Sequence, residues 1–196
     1  MTQAFQSVEL TIQLILKLKP ESFLDIGVGC GKWGFLFREY TDIWEGRALK
    51  RQWKSQIDGI EIFAPLIQDY QSAMYKRIFV GNAYTLIDEL HSYDFVWAFD
   101  LLAAFEKQKG MKMVLKMREK TGMLLGVWQA LDEKVPVPSP NENPYEAKVS
   151  SWKLEDFEEL DFRYYKTFDS PAGRDVLAIY TEEDLSDFGF SKFKQG

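Results

Sequence analysis

The stretch from Phe23 to Tyr40, FLDIGVGCGKWGFLFREY, sets Gly27, Gly29, Gly31 and Gly34 within eight residues, straight after an apolar run that carries Asp25. Glycine loses more backbone freedom on folding than any other residue, so such a turn has to serve a purpose that outweighs the loss. A phosphate, a nucleoside and a bare tight turn are the three candidates. SFLDI, before the glycines, has the length and apolarity of a buried strand. KWGFLFREY, after them, reads as a helix, so the motif is a strand–turn–helix unit.

Working outward, residues 3–18 read as an amphipathic helix stopped by Pro20. Downstream, QIDGIEIF, RIFVGNA, YDFVWAFD and GMLLGVWQ read as strands, with APLIQDYQSAMYK, YTLIDEL and FEKQKGMKMVLKMREK as the helices between and after them. Strands that alternate with helices predict a parallel sheet covered on both faces. From Gln129 the pattern changes. Residues 129–150 read as a lid-like loop containing VPVPSPNENPYEAK; KLEDFEEL is a short helix; FRYYKTF and DVLAIYT form a final hairpin around DSPAGR. The tail, residues 182–196, is expected to fray. The reading is therefore one doubly wound α/β domain over residues 1–196, with a mostly parallel seven-stranded sheet and a C-terminal antiparallel hairpin.

Composition narrows the function. With 46% hydrophobic and 28% charged residues the chain has the make-up of an ordinary globular protein. A formal net charge of −6 disfavours broad binding to a nucleic-acid backbone. Cys30 is the single cysteine, so no internal disulfide forms and a reducing cytoplasm is expected. The first apolar stretch, LTIQLILKL, is short and broken by Gln13 and Lys17, and reads as neither a leader nor a membrane span. No His/Cys cluster has zinc spacing, and no metal site is expected.

Ligands of open parallel sheets bind outside the carboxyl ends of the strands, where the glycine turn falls. Gly27, Gly29 and Gly31 allow a sharp turn and close approach of a ligand to the main chain. Glu61 ends the next strand, where a carboxylate can accept both hydroxyls of a ribose. Two cofactors compete. Gly29, Gly31 and Gly34 match G-x-G-x-x-G, the dinucleotide fingerprint. An anion at Asp25, however, repels a pyrophosphate and suits the ammonium and sulfonium of S-adenosylmethionine. Charge therefore favours S-adenosylmethionine, with a nicotinamide dinucleotide as the alternative.

FLDIGVGCGKWG resembles the first motif of the class I S-adenosylmethionine-dependent methyltransferases, IDGIEIF the second, VGNA the third and YDFVWAFD the fourth strand. NPYEAKVSSWKLEDFEEL resembles a loop and helix of a bacterial subgroup whose version reads Asn-Pro-Tyr-Glu-x-His-x-Ser-Gly-Trp. The resemblance implies that Gly27, Gly29 and Gly31 line the methionine part of the cofactor and that Asp25 orients its ammonium, directly or through water. It implies that Glu61 holds the ribose hydroxyls, Ile62 packs on the adenine, and Asn82, followed by Ala83, accepts from the adenine amine. Asp100 and Leu101 would lie near the reacting methyl, with Asp100 the candidate catalytic group. Ala103 and Ala104 replace a Glu-His pair of the subgroup, and Lys148 replaces its histidine.

Methyl transfer from a sulfonium needs alignment and exclusion of water more than a conspicuous catalytic residue. Trp128, Gln129, Tyr145, Glu146 and Lys148 are the candidates for binding the acceptor, a small molecule with sugar-linked metabolites among the options. Trp128 and Tyr145 either stack on the acceptor or pack the lid. The alternative function is a catalytically degenerate protein that binds the cofactor or a partner; a homo-oligomer is left open. His91 is expected on the surface, at the wrong end of its strand for the site. In WEGRALKRQWK, Arg47, Lys50, Arg51 and Lys54 are expected on one helical face, either gripping an anion beside Trp44 and Trp53 or facing solvent.

Overall fold

The structure is a computed structural model that describes residues 5–140, 142–170 and 173–194. The helix expected over residues 3–18 is seen as α1, Phe5–Leu18, its first two positions lying outside the described residues. β1 is Ser22–Ile26, β2 Gln56–Glu61, β3 Arg77–Val80, β4 Tyr93–Phe99 and β5 Thr121–Leu131. The helices are α2, Lys32–Arg38; α3, Asp69–Met74; α4, Ala83–Leu86; α5, Lys107–Glu119; and α6, Leu154–Glu159. β6, Tyr164–Ser170, and β7, Gly173–Thr181, form the expected hairpin, with residues 171–172 of its turn outside the described set.

One sheet carries all the strands in the order β3-β2-β1-β4-β5-β7-β6-β8, where β8 is the short strand Ser191–Lys192. β1 pairs in parallel with β2 and β4, β2 with β3, and β4 with β5; β7 enters antiparallel between β5 and β6. Alternate residues of a strand face opposite sides, and here that alternation divides the core in two. Leu24, Ile26, Ile60, Val96 and Val127 point toward α4, α5 and α6. Phe23, Ile57, Phe95, Trp97 and Trp128 point toward α1 and α2. Met113 and Met117 are fully buried fillers of the first layer. No described helix is long and apolar enough to cross a membrane.

Three expectations change. The sheet has eight strands, because β8, Ser191–Lys192, pairs with β6. The tail is held down as far as the structure describes it: Leu185 is fully buried and the Phe193 ring packs, tilted, against Tyr165 at 4.5 Å, so apolar side chains anchor what charge alone suggested would fray. α3 is far shorter than APLIQDYQSAMYK implied, since Gln68 is extended and Gln71 caps it by accepting the Gln68 N–H.

The basic stretch forms no continuous helix either. α2 runs into a π-type turn at residues 39–43, and only residues 50–52 make a further helical turn. The fully buried Asp42 gathers Arg38, Arg47 and the N–H groups of Lys54 and Ser55, and this folds the segment back on itself. β5 continues to Leu131, so the loop expected from residue 129 begins after it; Asn141 lies outside the described residues. That loop is pinned by a two-way bridge between Val137 and Lys148.

Candidate functional site

The glycine turn joins β1 to α2 at the carboxyl end of the sheet. Gly27, Gly29 and Gly31 have φ of 88°, 52° and 78°, the left-handed region that side-chain-bearing residues avoid. Four of the five N–H groups of the turn, residues 27–31, are occupied internally. Gly27 and Val28 donate to Ile60 O, Gly31 donates to Val28 O, and Gly29 donates to Glu61 Oε2 at 2.9 Å. Glu61 Oε1 accepts the Phe63 N–H at 2.8 Å. Both carboxylate oxygens of Glu61 are thus oriented by backbone donors, and each keeps a lone pair for a further donor.

Beneath the turn sits Tyr75, just past α3. Its hydroxyl donates to Asp25 and accepts the Gly34 N–H at 3.0 Å. Gly34 is required by this contact: a Cβ there would lie 2.2 Å from the Tyr75 ring. Gln71 donates to Gly29 O from the same side. Asp25 is 1% exposed, and burial pushes its pKa up to about 7, with the Glu61 charge adding to the rise and the Tyr75 hydrogen bond opposing it. Burial, together with the Asp25 charge, also raises the Tyr75 phenol.

A cleft of about 310 Å³ opens beside the turn, at the lower end of the range for small-molecule sites. Ile60, Ile62, Ala83, Leu101, Phe105 and Val149 give it apolar walls. Gly27, Glu61, Asn82 and Lys109 supply polar groups, and Pro144, Tyr145 and Ala147 of the long loop form one side. The loop is docked there by hydrogen bonds from the Val149 and Ser150 N–H groups to Ala103 O.

No family model matches the chain, and no curated protein matches its sequence. Solved structures do. Magnesium protoporphyrin IX methyltransferase of Synechocystis PCC 6803 with bound SAM (S-adenosylmethionine) superposes with a TM-score of 0.62 at 13% identity, over 91% of this chain and 79% of that one. N-methyltransferase NodS of Bradyrhizobium japonicum WM9 gives 0.59 at 12% identity, over 92% and 97% of the two chains. An O-methyltransferase family protein of Burkholderia thailandensis gives 0.56 at 11% identity; the alignment covers 91% of this chain but spans only 56% of that one. The fold is that of methyltransferases.

Within this methyltransferase fold the candidate residues form two groups, with some standing apart. Gly27, Glu61, Ile62, Asn82, Ala83 and Leu101 meet around the cleft, joined by Tyr145, which is half exposed. Asn82 Oδ1 accepts the Tyr84 N–H at 2.9 Å and so caps α4, which leaves one lone pair on that oxygen. Gly29 and Gly31 shape the turn without lining the cleft. Asp25 stands apart: its carboxylate is closed off beneath the turn and bonded to Tyr75, so it presents no charge to the cleft.

The second group is Asp100, Gln129 and Lys148, which converge near the carboxyl ends of β4 and β5. Lys148 Nζ lies 2.8 Å from Asp100 Oδ2 and 2.7 Å from Glu133 Oε2, and Gln129 Nε2 donates to Asp100 Oδ1 at 3.0 Å. Asp100 itself takes a left-handed backbone, with φ of 47°. Burial raises its carboxyl and Lys148 partly offsets that rise; burial lowers the Lys148 ammonium, but its two acidic partners outweigh this and raise it. None of the three lines the cleft, which corrects the placing of Asp100 beside Leu101 on its wall. Two residues fall outside both groups. Trp128 is 3% exposed and packed between Phe99 and Phe168, so burial in the core, not a face open to an acceptor, is its role here. Glu146 sits in the turn capped by Asn143.

Sequence reasoning missed Tyr75, Gln71, Lys109 and Glu133. Only Tyr75 and Gln71 carried a signal, their i, i+4 spacing in a helical stretch. His91 is exposed, hydrogen-bonded to Gln56 and in tilted ring contact with Tyr93 at the amino end of β4.

Proposed function

We propose that this chain is an S-adenosylmethionine-dependent methyltransferase acting on a small-molecule acceptor. The observation that carries the reading is the state of the turn's N–H groups. A dinucleotide pyrophosphate requires free donors at such a turn, whereas here four are occupied, one of them by the Glu61 carboxylate. That arrangement disfavours a phosphate and suits a nucleoside carrying a cation. Glu61 would hold the ribose hydroxyls; Ile62, Ala83 and Leu101 would enclose the adenine; Asn82 would meet its amine.

The cofactor would supply the activated methyl on its sulfonium. The chain's own part is to bind, orient and exclude water. The apolar walls and the docked loop with Tyr145 do the last, and the backbone-held Glu61 does the second. The Asp100–Lys148–Glu133 group would border the acceptor. Calorimetry tests the reading: S-adenosylmethionine should bind and Glu61→Ala should abolish binding, whereas binding of NAD with none of S-adenosylmethionine would overturn it.

One observation favours a second reading. Asp100, the candidate base, is tied to Lys148, and alanines stand at 103 and 104 where the resembled subgroup carries a Glu-His pair. A protein that binds the cofactor without turnover would look like this. Methyl transfer to any member of a metabolite panel excludes it.

A further inference from the structure

A second cleft, also of about 310 Å³, lies at the amino ends of β2 and β3, with Gln56 and Lys76 on its wall. β2 separates it from Glu61 by five residue steps, or roughly 17 Å. Arg38, Lys50, Lys54 and Lys76 line it, and no carboxylate does. In a chain of net charge −6 that is a local reversal of sign.

The site is built by tertiary contacts. Asp42 is fully buried and accepts from Arg38, from Arg47 Nε at 2.7 Å, and from the N–H groups of Lys54 and Ser55. Two arginines absorb its charge, so it organises the segment without neutralising the lysines. Lys50 and Lys54 have no ion pair among the described residues, and Lys76 reaches only the neutral Gln56, at 2.9 Å. Arg38 lies 4.3 Å from the centre of the Trp53 ring. Trp53 Nε1 is buried with no acceptor among the described residues. A buried donor in that state lacks the partner that nearly all such groups have, as do the Trp33 and Trp97 indoles elsewhere in the core; at Trp53, on the cleft wall, a ligand oxygen could supply it.

We propose that this cleft binds a phosphomonoester. Such a group carries close to two negative charges and three terminal oxygens near neutral pH, which matches three lysines and an indole N–H. Trp53 and Met74 offer apolar surface to the organic body it is attached to. A polynucleotide fits less well, because it needs an extended basic track, and here the cations surround one concavity on an acidic protein.

Calorimetry with ribose 5-phosphate, and with ribose as its uncharged counterpart, tests the site; both lack the adenine that the other cleft would take. Ribose 5-phosphate should bind, ribose should not, and affinity should fall as salt is raised. The exposed pair Lys50→Ala/Lys54→Ala should weaken binding about tenfold with the melting temperature unchanged, and Trp53→Phe about threefold. Phosphatidylcholine vesicles containing phosphatidic acid form a separate arm: lysine-dependent binding there, without binding of ribose 5-phosphate, assigns the same monoester chemistry to a lipid. No binding in either arm, or an affinity that the lysine pair does not change, overturns the proposal. So does a single-stranded oligonucleotide that binds more tightly than either probe with the same lysine dependence.

Discussion

The two ends of the candidate active region are held by different physics. On the β1–β2–β3 side, the glycine turn, Glu61 and Tyr75 are fixed by backbone hydrogen bonds and close packing. On the β4–β5 side, Asp100, Lys148, Glu133 and Gln129 are fixed by charge pairing among side chains drawn from a strand end and a loop. A backbone-built site has one geometry and tolerates few residue types. A site built from side-chain charges can change its residues while the fold persists. Under the proposed function, the first arrangement would serve the cofactor and the second the acceptor.

Substitutions can break or sharpen that contrast. The largest effect is expected from Glu61→Ala, which should weaken S-adenosylmethionine binding more than about 100-fold by calorimetry while the far-ultraviolet circular dichroism stays unchanged. Next comes Gly34→Ala, whose Cβ would meet the Tyr75 ring at 2.2 Å; denaturant unfolding should show a loss of about 3 kcal/mol. Adding Tyr75→Ala should recover part of it, and a purely additive double variant would refute the packing explanation.

Lys148→Ala tests the other side. It leaves two partly buried carboxylates facing each other, and stability should fall by about 2 kcal/mol. Cofactor affinity should stay within about twofold; a tenfold drop would join the two regions into one unit. Asp25→Asn should have a pH-dependent effect. The folded carboxyl, at about 7, lies above its ordinary value, so the native state holds the proton more tightly than the unfolded chain. Its contribution to stability is complete below about pH 4 and is lost as pH rises to about 7. Thermal melts of Asp25→Asn should show a flatter profile through that window, by up to a few kcal/mol. The smallest effect is expected from Tyr145→Ala, about threefold in cofactor affinity, because half of that side chain faces solvent.

Much of the glycine-turn side was legible because its signals are local. Positive-φ glycines announce themselves by residue type, and an acid at a strand end is found by counting along the strand. Asp25 shows the limit of such reading. Its position beside the turn suggested an anion offered to the ligand, but Tyr75, just past α3, bonds to it and closes it off, and Glu61 is the carboxylate that lines the cleft. Lys148 and Asp100 could each be named as candidates, yet nothing in a linear reading paired them or added Glu133.

The chain's alternation of apolar strands and helices determined a doubly wound sheet ending in a hairpin, since period-2 and period-3.6 patterns each permit only one way to bury their apolar faces. The glycine spacing determined where the turn would fall. Tertiary structure alone decided the eighth strand, the anchored tail and the fold-back of residues 44–56 around Asp42. Those depend on contacts between residues far apart in the chain or on how one buried charge is satisfied. Local preference carries no information about either.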